Sequence, residues 1–137
     1  MPLTEESLVA LRVAHLTMIQ GAITRMSEFS ASAKTFTITI FAGLSAISLQ
    51  ADAGQLGVIA MTAAIILFVI DTYYMTLEAR FRRFYDEVTA RDLDEATDLK
   101  IAPLTNGGDM QKAIKSKLNW FFYGSVLLAC ILFICYG

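Results

Sequence analysis

The chain has 137 residues, 55% hydrophobic and only 18% charged, against about a quarter charged in soluble domains. A chain this short forms one domain and cannot bury several long apolar runs in a water-soluble core of its own, so the bilayer must take part of that surface. With a net charge of -2 there is no basic excess to neutralise phosphates, which excludes a nucleic-acid binder.

Met1 to Ser7 lacks the basic stretch and immediate apolar run of a cleaved secretory signal, so residue 1 is read as mature protein. Thr4 is a helix N-cap followed by Glu5 and Glu6, which suit the positive end of the helix dipole. Leu8, Leu11, Ala14, Ile19, Ala22, Ile23 and Met26 recur at helical spacing, with Arg12, Gln20, Thr24, Arg25 and Glu28 largely on other faces. An amphipathic cytoplasmic helix is therefore expected over 4–33, followed by a first membrane span over 34–50. No proline or glycine cluster separates them, so the two predict one long bent rod with Gly21 as its weak point.

The linker from Gln50 to Gln55 is short and leads into a second span over 56–77, which makes the first two spans a helical hairpin. A second cytoplasmic helix is expected over 78–99, where Leu77, Phe81, Phe84 and Val88 form an apolar stripe among charged neighbours. Its stripe and that of the first helix should bury each other or a neighbouring copy, with lying flat in the headgroups as the competing outcome. Residues 100–116 read as a loop and helix start, with Ala102 to Asp109 turn-rich and Asp109 as cap, and 117–137 as a third span. The fold class is all-α, a polytopic membrane protein with three transmembrane helices and cytoplasmic helical extensions.

Orientation follows from the basic residues. Arg12, Arg25, Lys34, Arg80, Arg82, Arg83, Arg91, Lys100, Lys112, Lys115 and Lys117 flank the runs on one side only. The positive-inside rule then places the N-terminus in the cytoplasm and the C-terminus outside. Tyr73, Tyr74, Trp120 and Tyr123 at the run edges suit an inner interfacial belt. Cys130 and Cys135 are five apart on one helix, diverge too far to bridge, and read as packing residues.

Two ionisable residues fall inside the apolar runs, Lys34 and Asp71. Counted from the outer linker they lie roughly 24 and 22 Å down at 1.5 Å per residue, hence at the same depth. Lys34 can snorkel toward the cytoplasm, whereas Asp71 aims at the bilayer centre and needs a partner in Lys34, Thr35 or the same groups of an adjacent copy. The pair is read first as structural glue and second as part of a water-filled path or gate. Thr35, Thr39, Arg25 and His15 are the candidate polar neighbours or contacts between copies. His15, the sole histidine, reads as a surface or interface residue rather than a ligand. Thr35, Thr39 and Gly43, Ala60 with Ala64, and Ser125 with Ala129 offer small-residue helix contacts. The sequence assembles no catalytic, cofactor or metal-ligand constellation, so an enzyme is not expected and no cofactor is assigned.

The residues His15 to Met26, Lys34, and Asp71 to Asp86 (DTYYMTLEARFRRFYD) give the chain a resemblance to small bacterial membrane proteins of the SLATT-like type, over about residues 15 to 86. The resemblance implies a membrane effector of anti-phage defence, with two membrane helices followed by a cytoplasmic helix, and pore formation. The third span departs from that two-helix pattern.

Two functions of different classes follow as expectations. One is a homo-oligomeric inner-membrane effector that forms or gates a pore. The other is a non-catalytic anchor or scaffold that recruits a soluble cytoplasmic protein. A respiratory-complex anchor would need axial haem ligands inside the bundle, and the sole histidine lies outside the apolar runs.

Overall fold

The computed structural model describes residues 4–48, 52–103, 105 and 108–136, and among these there is no strand. Helix α1, Glu5–Ile47, is 43 residues long and starts where expected, with the Thr4 hydroxyl accepting from the Ser7 amide at 3.3 Å. It runs unbroken from the amphipathic segment into the first apolar run. Gly21 does not interrupt it, because a single glycine costs a helix interior only about 1 kcal/mol. Helix α2, Ala53–Ala90, is 38 residues long and is capped by Asp52, whose carboxylate accepts from the Gly54 and Gln55 amides at 2.9 and 3.2 Å. The sequence reading put that aspartate in the linker without seeing its role. At 1.5 Å per residue the two helices measure about 65 and 57 Å, against roughly 30 Å of hydrocarbon.

The two helices lie antiparallel along their length. Ring contacts fix the pairing: Phe29 stacks on Tyr74 with centroids 4.9 Å apart, and His15 meets Phe84 edge-on at 6.1 Å. Beyond the apolar runs they form a two-helix stalk whose core is Ile19, Phe84 and Val88, flanked by Leu16, Ile23, Phe81 and Tyr85. The two amphipathic stripes thus bury each other within one chain, the first of the outcomes expected.

Residues 78–99 do not form one helix, as the apolar stripe had suggested. α2 stops at Ala90, Arg91 is extended, and Leu93–Thr97 forms a 3₁₀ turn packed against α1. Two causes coincide. Asp92, Asp94 and Glu95 would place negative charge on the negative end of the helix dipole. Arg12, from α1, donates to the carbonyls of Val88 at 3.0 Å, Arg91 at 2.9 Å and Asp92, satisfying the groups that a helix end leaves open.

A second correction concerns Asp109. It lies in the first turn of a short helix α3, Asp109–Ile114, with Gly108 at the cap position, and α3 ends before the third apolar helix begins. Its carboxylate is buried and engaged by Arg83 and by Arg80, the latter at 3.4 Å, so it ties α3 to α2. Helix α4, Lys117–Tyr136, then returns along α2, with the Trp120 amide bonding the Ser116 carbonyl at 3.1 Å at its start.

Three helices, α1, α2 and α4, are long and apolar enough to cross a membrane. α2 sits between the other two in contact and packs closely on both. Gly57 marks a close approach to α4, since a Cβ built there would lie 2.6 Å from Ile134 Cγ1. Ala60 and Ala64 are buried on the same helix, as small residues at an interhelical contact should be. Thr35, Thr39 and Gly43 instead lie on an exposed face of α1, and Ser125 is exposed on α4, so those small residues are not buried at a helix contact as Ala60 and Ala64 are.

Candidate functional site

Asp71 is the centre of the bundle. It points from α2 toward α1 and is fully buried. Lys34 of α1 donates to its Oδ2 at 2.5 Å, and the Ser30 hydroxyl, one turn earlier on α1, donates to its Oδ1. Lys34 also reaches the Ser30 oxygen at 3.2 Å, which closes a three-residue ring of hydrogen bonds. The 30 and 34 positions share a face because they are four apart, and the antiparallel pairing brings that face opposite residue 71. Of the partners the sequence offers for Asp71, namely Lys34, Thr35 or the same groups of an adjacent copy, Lys34 is the one found within the chain. Ser30 was missed, although its i,i+4 relation to Lys34 was a usable signal.

Thr35 and Thr39 do not touch Asp71. Both are exposed and return their hydroxyls to their own helix, to the Ala31 carbonyl at 3.2 Å and the Thr35 carbonyl at 2.9 Å. One residue of helix turns a side chain by about 100°, so the neighbour of a buried lysine points away from the partner helix. Arg25 is likewise exposed and bonds the Gly21 carbonyl at 3.4 Å. His15 is not at the surface: it is only 2% exposed, buried between the two helices of the stalk beside Phe84. These four residues are not brought to the Lys34 and Asp71 pair.

Other residues are. Tyr123 of α4 is buried in the bundle, packs edge-on against Phe68 at 5.2 Å, donates to the Leu67 carbonyl at 3.4 Å, and lies near Asp71 and Thr37. Thr37 and Thr76 are buried and back-bonded to Ala33 and Thr72 carbonyls at 2.8 and 2.7 Å. Thr72 and Asn119 are buried as well, and among the described residues neither the Thr72 hydroxyl nor the Asn119 amide has a hydrogen-bond partner. Ser30, Lys34 and Thr37 of α1, Asp71, Thr72 and Thr76 of α2, and Asn119 and Tyr123 of α4 thus give the bundle a polar interior. Its outside is apolar: Phe36, Ile38, Ile65, Ile66, Val69 and Leu128 are all about half exposed or more.

Chemically this is an ion pair whose carboxylate is fully buried between the helices while its ammonium stays partly exposed. Pairing and the Ser30 bond offset a desolvation cost of several kcal/mol per ion. The described residues include no group of three or more His, Cys, Asp or Glu side chains placed to hold a metal. In the stalk, Arg91 bonds Glu87 at 2.8 Å and lies near Asp98, which pushes its guanidinium pKa still higher and keeps it charged. No protein-family model matches the chain, and comparisons with curated proteins and with solved structures give no match.

Proposed function

We propose that the chain is a non-enzymatic, homo-oligomeric effector of the bacterial inner membrane, N-terminus in the cytoplasm, that forms or gates a pore. The observation that supports this best is the inverted character of the bundle, polar between the helices and apolar outside. Thr72 and Asn119, buried beside the ion pair and without a protein hydrogen-bond partner among the described residues, add polar surface that an opened bundle would turn to water. The resemblance to SLATT-like proteins adds anti-phage defence as the setting. Three spans enclose too little space for a pore in one copy, so the active form is an assembly, and separation of α1 from α2 at Lys34 and Asp71 is the natural opening movement.

The test is the mass of the detergent-solubilised complex together with leakage from liposomes, for the wild type and Asp71→Ala. A defined homo-oligomer whose leakage changes in the variant is expected. A monomer or dimer that leaks nothing refutes the reading and favours a membrane anchor for a soluble partner. That second reading has its own support, the exposed Val9 and Val13, one turn apart on the stalk, which leave apolar surface outside the spans.

A further inference from the structure

We infer that the groove between α2 and α3 is an aqueous inlet through which water from the basic end of the molecule reaches Thr72 and Asn119 and, beyond them, the Asp71 cluster. Met75, Ala79, Asp109, Lys112, Ala113 and Ser116 line this groove, whose volume is about 360 Å³. Positions 68, 72, 75 and 79 of α2 form one helical stripe, and its two ends have known partners. Phe68 packs on Trp120 and Tyr123, while Met75 shares the groove with Ser116. The antiparallel register between these two contacts sets Thr72 level with Asn119, each about one helical turn from a residue that lines the groove, Met75 and Ser116 respectively.

Both side chains are polar and at most 2% exposed, and among the described residues neither the Thr72 hydroxyl nor either atom of the Asn119 amide is bonded by protein. Within a span, a polar group left dry costs several kcal/mol. A buried water is held when a polar site offers two to four partners. The Thr72 hydroxyl and the two ends of the Asn119 amide supply three, in reach of a groove that opens beside charged Lys112 and Asp109. Tyr123, one turn further along α4 and close enough to Asp71 to feel its charge, lies between this pocket and the ion pair. The inlet belongs to the single chain and does not depend on assembly into a pore.

The test is cysteine accessibility in the full-length protein in liposomes, with Cys130→Ala and Cys135→Ala removing the native thiols. Single variants Thr72→Cys, Asn119→Cys, Ser116→Cys and Leu128→Cys are exposed to silver ion, and the thiols left unreacted are counted with maleimide after unfolding. Silver ion is small, water-borne and thiol-specific. Ser116→Cys, at the groove, and the Thr72 and Asn119 variants are expected to react, and Leu128→Cys, half exposed on the apolar exterior, to stay unreacted. Thr72→Cys and Asn119→Cys report on one pocket separately, so poor folding of either leaves the other informative. Adding Ala79→Trp at an exposed groove position should slow reaction at residue 119 about tenfold, a barrier raised by about 1.4 kcal/mol. Thr72 and Asn119 variants as inert as Leu128→Cys, or reaction unchanged by Ala79→Trp, overturn the inlet. Neither result touches the leakage test of pore formation.

Discussion

The two halves of the Lys34 and Asp71 pair should contribute unequally, and the asymmetry is measurable. Lys34→Met leaves a carboxylate with no exposure to solvent and only the Ser30 hydroxyl as partner. Breaking a buried pair in this way costs about 3–5 kcal/mol, most of it the penalty of the stranded charge. Asp71→Leu strands the lysine instead, but that side chain is 23% exposed and has a flexible four-carbon stem. It can leave the bundle and carry its ammonium toward the headgroups, so the loss should be about 1 kcal/mol, in the range of single polar contacts between membrane helices. The double variant Lys34→Met/Asp71→Leu removes both charges and should recover most of what the lysine change alone loses. Reversible unfolding in mixed micelles, followed by circular dichroism, gives the three free energies and their coupling. Equal single losses that add in the double variant would refute the argument, because they would mean that neither charge depends on the other.

Arg12→Met should cost about 2–3 kcal/mol, the worth of charge-assisted bonds to the carbonyls it holds, and hydrogen exchange should show the loss as faster exchange confined to residues 84–92. Gly57→Ala forces Ile134 to move and should destabilise the bundle by about 1–3 kcal/mol, while Gly43→Ala, with open space around it, should be neutral or stabilising by up to about 1 kcal/mol. Unfolding in mixed micelles, as for the ion pair, separates the two glycines. Asp109→Asn should loosen α3 from α2 by weakening its hold on Arg80 and Arg83, seen as earlier proteolysis between residues 100 and 116 with the three apolar helices still protected. The Phe29→Ala change removes the stack on Tyr74 and should cost about 3 kcal/mol or less, since Phe29 remains half exposed in the folded chain.

The candidate site was half legible before the structure. Lys34 and Asp71 stand out because each is a charge inside an apolar run, and depth counting along two antiparallel helices already put them level. Ser30, Thr72, Asn119 and Tyr123 carry no such mark, since hydroxyls and amides are tolerated in spans and nothing local separates a buried one from an exposed one. Thr35 shows the reverse failure: sequence adjacency to Lys34 suggested a partner, and the turn of the helix put it on the opposite side. The role of Arg12 was invisible and that of Asp109 was misread as a cap for a similar reason, because their partners lie 76 to 80 and 26 to 29 residues away along the chain.

Hydrophobic run lengths, helical periodicity and a strong N-cap are local properties, and they were enough to determine an all-helical chain with three apolar helices and a long continuous first helix. A charge inside an apolar run also declares by itself that it needs a partner, because burial without one is too costly. Which residue supplies that partner, where α2 stops, and which face of each helix turns inward depend on the register between helices. That register is set by contacts such as Phe29 on Tyr74 and Gly57 under Ile134, between residues distant in sequence, and only the tertiary structure decides it.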